Sequence, residues 1–397
     1  MRLQAYDPSW APHAATRTAA GHWHRQGLLA GAQRAAIDAA SPLDYYRPAW
    51  LLRVVLFFFA ALGCAAATGF LFAVLLGGAT SEAALNVGLL AAAGFLGALE
   101  WLIVGSRPYQ AGYDNALLYA ALLALLGLGA QLLTALLSNA GAGTLAGPRL
   151  WPFLAYGLAV LGAATVRYAD PLTAALALAT CLVLAANLAL QTAAGPAVLP
   201  FVAMLAAAGA GVAVRRLAQG PGYFYYRTCL LTAKALALAT FYLGGNYLVV
   251  REGNAALAHL PAAPQIPFAP LFYGLTSLMP LAYLYYGLRR HGRLVLVAGL
   301  LAVAFSVFTL RYYRPLLPPA VAAVLAGAVL LAAAIVALRY LRTPRHGLTA
   351  VADAEAPPHF NLETLVVAQA NGAPAAPAPG FAFGGGQSGG GGATGQW

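Results

Sequence analysis

The stretch "YFYYRTCLLTAKALALATFYLGGNYLVV", residues 223–250, is apolar over most of its length and carries two cations, Arg227 and Lys234. A helix needs about 20 mainly apolar residues to cross a bilayer. The stretch therefore predicts a transmembrane helix. Lys234 is the only lysine of the chain, and its place inside this helix raises the question of which partner its ammonium group has.

The composition extends this prediction to most of the chain. Apolar residues make up 61% of the 397 residues and charged residues only 8%, whereas roughly a quarter of a soluble domain is charged. Only helices and closed barrels satisfy their backbone in hydrocarbon, and alternating barrel patterns are absent, so the sequence predicts an all-α transmembrane helix bundle. The formal net charge of +11 does not indicate nucleic-acid binding, because the arginines gather in short loops beside apolar stretches.

Ten stretches are long and apolar enough to be membrane spans, with an N-in/C-in orientation. Most arginines then lie in connections on the side of the N-terminus, as the positive-inside rule requires of the cytoplasmic face. The predicted spans are 50–76, 84–104, 115–137, 150–166, 171–190, 197–214, 227–250, 268–288, 293–310 and 318–341.

Two regions flank the predicted bundle of residues 50–341. In the cytoplasmic N-terminal segment, 1–49, two short helices are expected around Gly27, lying on the membrane surface or against the first span. The apolar contacts of these helices are expected to be Trp23, Leu28, Leu29 and Ile37.

The C-terminal region divides into two parts. Residues 342–379 are expected to hold one short cytoplasmic helix and a Pro/Ala linker, and residues 380–397 a disordered Gly-rich tail. The aromatic residues of this tail are a candidate docking site for a protein partner, and they are Phe381, Phe383 and Trp397.

A candidate intramembrane site centres on Lys234. Its best expected partner is Glu100 in the second span, since charges in spans avoid lipid and pair with one another. Two interpretations remain open for Lys234: a structural role, by pairing or by reaching toward the headgroups, and a role in a transport path.

A second polar set is expected toward the outer ends of the spans. It consists of Gln131, Asn187, Gln191 and Asn246, with Tyr242 on the same helix face as Lys234 and Asn246. Such side chains line a pocket for a polar solute or form hydrogen bonds between helices. Asp114 and Asp170, at inner span boundaries, are expected to pair at the surface with Arg107 and Arg167.

No feature of the sequence indicates an enzyme, a cofactor or a metal. The three cysteines, Cys64, Cys181 and Cys229, lie in apolar stretches without a CxxC pair, so neither disulfides nor zinc are expected. The sequence contains no HExxH, GxSxG, Walker or dinucleotide-binding motif.

Two short segments carry a family resemblance. "WHRQGLLAGAQRAAI", Trp23–Ile37, resembles the N-terminal helical segment of families of uncharacterised bacterial polytopic membrane proteins, although Ala30 stands where such families often have Ser or Asp. "FAFGGGQSGGGGATGQW" resembles the tails, ending in Trp, of bacterial membrane proteins with a TPM domain that are found alongside LemA-like proteins. The resemblance implies a multi-pass protein of the bacterial inner membrane and carries no functional residues over.

These features predict a non-enzymatic membrane scaffold or interaction protein, with partners bound through the N-terminal segment and the tail. The alternative is a secondary transporter or channel-like carrier of a small polar solute that uses the Lys234 and Glu100 pair.

Overall fold

The computed structural model describes residues 3–75, 81–136, 145–290, 292–313 and isolated positions between 318 and 340. Within these residues the protein is all-helical, with no strand. The helices are α1 (Trp10–Arg25), α2 (Gly31–Ala40), α3 (Trp50–Leu75), α4 (Ser81–Ser106), α5 (Tyr113–Leu136), α6 (Trp151–Tyr168), α7 (Pro171–Leu190), α8 (Gly195–Leu217), α9 (Tyr223–Gly245), α10 (Tyr247–Leu257), α11 (Ala269–Arg289) and α12 (Arg293–Tyr313).

Seven helices of the described part are long and apolar enough to cross a membrane: α3, α4, α5, α7, α8, α9 and α12. Helices α6 and α11 coincide with two further predicted spans but do not meet the same combination of length and hydropathy. The tenth predicted span, 318–341, lies mostly outside the described residues. The structure thus agrees with a helical, multi-pass membrane protein.

The predicted span 227–250 is two helices. Asn246 has an extended backbone (φ −82°, ψ 125°) between α9 and α10, and its Oδ1 accepts hydrogen bonds from the N–H groups of Leu248 and Val249 at 3.0 and 3.3 Å. Because these bonds satisfy backbone donors that a helix start leaves open, Asn246 begins a new helix. Sequence periodicity alone does not reveal such a break.

The long helices pack mainly against their neighbours in the chain, as the pairs α4–α5, α6–α7, α8–α9 and α11–α12. Short connections force antiparallel packing, which brings the starts of α3, α5, α7 and α9 to the ends of α4, α6 and α8. We call this end of the bundle the tyrosine end, and the end where α9 stops the opposite end.

The N-terminal segment has the two expected helices, α1 and α2. Gly27, at φ +74°, makes the turn between them, and Asp38 on α2 lies 3.0 Å from Nε of Arg17 on α1. Trp23 and Leu28, two of the expected apolar contacts, are 46% and 69% exposed among the described residues, and their contact with a membrane surface stays a prediction.

Candidate functional site

The N-terminal segment is attached to the tyrosine end by a buried hydrogen bond. The hydroxyl of Tyr6 donates to Oδ2 of Asp114 at 2.9 Å, and Asp114, at the start of α5, is 1% exposed. The other carboxylate oxygen accepts from the backbone N–H groups of Gly112 and Asn115 at 2.9 and 3.0 Å. Burial, followed by the nearby charge of Asp114, raises the pKa of Tyr6 well above its ordinary value.

The loop before α5 holds Asp114 in place. Gly112 has φ +102°, and a Cβ there would overlap the carbonyl oxygen of Arg53 at the start of α3. Only glycine accepts both the positive φ and this close approach. The same loop is tied to the segment before α3, since Tyr109 donates its N–H to the carbonyl oxygen of Tyr46 at 3.0 Å.

Aromatic rings surround this hydrogen bond. The ring of Tyr109 lies 5.4 Å from that of Tyr6 and 5.1 Å from that of Tyr45, and Trp10 lies 5.3 Å from Tyr45, measured between centroids. Tyr6 and Trp10 are 5% and 8% exposed. We call Tyr6, Trp10, Tyr45, Tyr109 and Asp114 the clasp, because together they fix the N-terminal segment to the bundle.

Glu100 has a different partner from the one predicted. Its carboxylate forms a bidentate ion pair with Arg167 at the end of α6, in which Nε and Nη2 of Arg167 each lie 2.7 Å from one carboxylate oxygen. The carboxylate also accepts a hydrogen bond from the hydroxyl of Tyr168 at 2.6 Å. The expected pair between Glu100 and Lys234 is therefore wrong. The reason is the packing order, since α4 packs mainly on α5 and α3 whereas α9 packs mainly on α8 and α7.

Lys234 lies on α9, partly exposed, and has no hydrogen-bond or ion-pair partner among the described residues. Its two possible roles, structural and in transport, both remain predictions.

The two boundary aspartates are buried, which corrects the expectation of surface pairs. Asp170 is 5% exposed and caps α7 by accepting from the N–H of Thr173 at 2.8 Å, while the hydroxyl of Tyr119 donates to its other oxygen at 3.0 Å. Burial raises the pKa of Asp170 above its ordinary value. Neither it nor Asp114 relies on Arg107 or Arg167 for its described hydrogen bonds.

The predicted outer amides belong to separate groups. Asn187, at 0% exposure, donates to the carbonyl oxygens of Leu145 and Gly147 at 2.7 and 3.0 Å and accepts from Gln191 at 3.0 Å. These bonds hold α7 to the chain before α6. Gln131 is exposed on α5.

Asn246 belongs to a group of buried polar residues that also come from α9, α11 and α12. Its Nδ2 donates to the hydroxyl oxygens of Tyr242 at 3.0 Å and Thr309 at 3.1 Å. Tyr242 lies 2.7 Å from Ser306 Oγ, which donates to the carbonyl oxygen of Thr276 at 2.7 Å. We call Tyr242, Asn246, Thr276, Ser306 and Thr309 the amide cluster; no described hydrogen bond joins it to Asn187, Gln191 or Gln131.

Sequence reasoning missed most of the clasp and of the amide cluster. Tyr6 and Trp10 belong to no apolar pattern of the N-terminal segment, and Ser306 and Thr309 are single hydroxyls in an apolar stretch. The accumulation of tyrosines at the boundaries of predicted spans was the only signal, and it indicates interfacial anchoring equally well. The predicted docking residues Phe381, Phe383 and Trp397 lie outside the described residues.

Two apolar grooves open on the sides of the bundle. One, of about 480 Å³, runs between α4, α5 and α6 and ends at Glu100, Arg167 and Tyr168. The other, of about 490 Å³, runs between α9, α11 and α12. A smaller, more polar cavity of about 290 Å³ lies beside the clasp, between residues of the N-terminal segment and Arg107. Among the described residues, no three His, Cys, Asp or Glu side chains are grouped as a metal site would require.

No protein-family model, curated protein or solved structure matches this chain. The fold and the placement of its polar groups define the class of the protein. It is a helical membrane protein with several candidate spans, whose N-terminal helical pair is fastened to one end of the bundle.

Proposed function

We propose that the protein is a non-enzymatic scaffold or interaction protein of the bacterial inner membrane, and that its clasped N-terminal segment is the surface on which a protein partner docks. The observation that carries this proposal is the contrast within the segment. Tyr6 and Trp10 are buried in the clasp, whereas Trp23 and Leu28 are 46% and 69% exposed at the other end of α1. An exposed tryptophan on a firmly held helix is a typical anchor for a protein interface.

We further propose ten spans with both termini in the cytoplasm. The arginines support this orientation. Those at the tyrosine end include Arg47, Arg107, Arg215, Arg216, Arg289, Arg290 and Arg293, whereas the opposite end has Arg149, Arg251 and Arg311. The positive-inside rule then assigns the tyrosine end, and with it the docking segment, to the cytoplasm.

The alternative, a carrier for a small polar solute, has weaker support. A discontinuous helix such as α9–α10 is typical of transporters, where the break lies near the bilayer midplane and exposes backbone groups to the substrate. Here the break follows a helix of 23 residues, which is about 34 Å long, so Asn246 lies at the membrane boundary. The amide group of Asn246 is also fully engaged within the amide cluster.

A photocrosslinking amino acid at position 23 of the full-length protein in intact membranes tests the proposal. We expect a crosslink to one protein at position 23, and none at Thr18, which is exposed on another side of α1, or at Leu260, which is 47% exposed near the opposite end. Leu28→Ala should weaken the crosslink. Crosslinks only to lipid would instead indicate that Trp23 dips into the membrane surface and would contradict the proposal.

A cysteine at position 234 distinguishes the carrier. A carrier requires a water-accessible path to Lys234, so a membrane-impermeant thiol reagent would modify Lys234→Cys in a chain whose native cysteines are replaced by alanine. For a scaffold we expect no modification. Modification would favour the carrier.

A further inference from the structure

The polar cavity beside the clasp is built from both the N-terminal segment and the end of α4. Its volume is about 290 Å³, close to the lower end of the roughly 300–1,000 Å³ that small-molecule sites occupy. The N-terminal segment lines it with Gln4, Asp7, His13 and Asp44, and the bundle lines it with Arg107. A small polar or charged group therefore suits this cavity, whereas a hydrocarbon chain does not.

Two opposite charges line this cavity without meeting each other. Within the part of the chain that the structure describes, the guanidinium of Arg107 and the carboxylate of Asp44 have neither a hydrogen bond nor an ion pair. Both residues are exposed. Asp7 differs, because its Oδ1 accepts from the N–H and the hydroxyl of Ser9 at 2.9 and 2.7 Å. A cation and an anion that do not pair with each other complement a ligand that carries both charges.

The backbone of Arg107 is fixed in an uncommon conformation. Its φ is +47°, in the left-handed region, which costs free energy for a residue with a Cβ. The N–H of Tyr46 donates to the carbonyl oxygen of Arg107 at 2.9 Å, and Tyr46 also forms an isolated β-bridge with Pro108. These contacts determine where the side chain of Arg107 leaves the backbone. Such strained residues are common at functional sites.

The cavity lies at the level where α4 leaves the membrane. The candidate span in α4 ends at Ser106, and Ile103 and Val104, near this end, line the cavity. Val104 is 79% exposed, and on a spanning helix an exposed apolar side chain faces lipid. A ligand with its charged part in the cavity therefore keeps its apolar part in the bilayer, as a phospholipid does.

From these observations we propose that the cavity beside the clasp binds the headgroup of a zwitterionic phospholipid, namely phosphatidylethanolamine. Its phosphate pairs with Arg107, its ammonium group pairs with Asp44, and its acyl chains lie along the apolar surface at Val104. A headgroup without an ammonium group offers Asp44 at most neutral hydroxyls, which form weaker hydrogen bonds with a carboxylate. This inference concerns a lipid and does not depend on the protein docking proposed above.

Native mass spectrometry of the delipidated full-length protein, titrated with phosphatidylethanolamine or phosphatidylglycerol of the same acyl chains, tests the site. We expect one phosphatidylethanolamine to bind about fivefold more tightly than phosphatidylglycerol, as one charge contact of about 1 kcal/mol near the membrane surface predicts. General attraction to a protein with a formal net charge of +11 favours phosphatidylglycerol instead. Equal affinities, or tighter binding of phosphatidylglycerol, would overturn the proposal.

Asp44 decides the choice between the two lipids. Asp44→Asn removes the charged partner of the ammonium group and should lower the affinity for phosphatidylethanolamine about fivefold, so that the preference disappears. Asp44→Glu keeps the negative charge and should keep the preference. If Asp44→Asn binds both lipids as the unchanged protein does, Asp44 does not contact the headgroup and the proposal fails.

Arg107→Gln tests the phosphate contact. It should lower the affinity for phosphatidylethanolamine about fivefold, at a thermal stability close to that of the unchanged protein. The matched control is Arg215→Gln, because Arg215 is exposed in the last turn of α8, at the same end of the bundle, and does not line the cavity. This control should leave the affinity unchanged. An equal loss in both variants would indicate attraction to the basic end as a whole and would contradict the site.

The water-soluble headgroup distinguishes a lipid from a free zwitterion. Glycerophosphoethanolamine carries the same phosphate and ammonium group without acyl chains. It should bind far more weakly than phosphatidylethanolamine, because the apolar contacts at Val104 are missing. Equal affinity would show that the ligand of the cavity is a soluble zwitterion and would overturn the assignment to a phospholipid.

Discussion

At the tyrosine end, the polar groups compared are carboxylates, namely the buried Asp114 and Asp170 and the partly exposed Glu100, whereas the amide cluster near the opposite end consists of one amide and four hydroxyls. The carboxylates accept from tyrosine hydroxyls, an arginine and the backbone N–H groups of helix starts. In the amide cluster, neutral hydroxyls donate hydrogen bonds to backbone carbonyl oxygens.

The difference follows from the cost of burying each kind of group. A buried charge is stabilised only when it is paired and hydrogen-bonded, and the tyrosine end supplies loops and helix starts whose N–H groups point at the acids. Glu100, the deepest of the three, is only six residues from the end of α4, or about 9 Å. Burying a neutral polar group costs less free energy than burying a charge, so neutral groups can lie between the helices.

The largest expected effect is at the clasp. Asp114→Ala leaves the Tyr6 hydroxyl and two backbone N–H groups without their acceptor, which we expect to lower the free energy of unfolding by about 3 kcal/mol. Trypsin should then cut the N-terminal segment at Arg17 and Arg25 faster. Thermal unfolding in detergent and limited proteolysis measure both effects.

Asp114→Asn is the matched control for the clasp. Its remaining oxygen accepts from both backbone groups, and the Tyr6 hydroxyl rotates to accept from the new amide. The loss should be less than half of that for alanine. Equal losses would show that the charge, rather than the acceptor geometry, holds the segment.

The amide cluster should respond nearly as strongly to loss of its central residue. Asn246→Leu removes the cap of α10 and the bonds to Tyr242 and Thr309, and we expect a loss of about 2 kcal/mol by thermal unfolding. Gln131→Leu, at an exposed amide of α5, should have almost no effect. Similar losses of stability in the two variants would indicate that the hydrogen bonds of the amide cluster do not stabilise the fold.

A double-mutant cycle tests the choice of partner by Glu100. Because Glu100 and Arg167 side chains are 35% and 32% exposed, we expect their coupling energy to be modest, about 1 kcal/mol. The cycle of Glu100→Gln with Lys234→Gln should give a coupling near zero. A larger coupling with Lys234 than with Arg167 would contradict the packing order of α4 and α9.

An effect of the same modest size is expected for the Tyr6 hydroxyl alone. Tyr6→Phe should cost about 1 kcal/mol at neutral pH. Since the pKa of Tyr6 is raised in the folded protein, its contribution is fully present below the unfolded pKa of about 10 and is lost as the pH rises from there toward the folded value. The stability difference between the two proteins should therefore shrink above about pH 10; a difference that stays constant would contradict the clasp.

The long helices of the bundle were predictable, since each is a long apolar run and hydrocarbon permits few other structures. The break at Asn246 was not, because an asparagine within a span is equally compatible with a continuous helix whose amide bonds to a neighbour. The partner of Glu100 was not predictable either. Arg167 is 67 residues away in the chain, and only the packing of α4 near α6 brings the two together.

By itself, the sequence determined that this protein is a bundle of apolar helices in a membrane, with its basic residues concentrated toward one end, because solvent preference depends on composition and on the length of each apolar run. Which buried groups meet was decided only by the tertiary structure. Tyr6 reaches Asp114 across 108 residues and Asn246 reaches Thr309 across 63. Such contacts depend on which helices are neighbours, and an apolar helix surface carries little information about its neighbour until the bundle has formed.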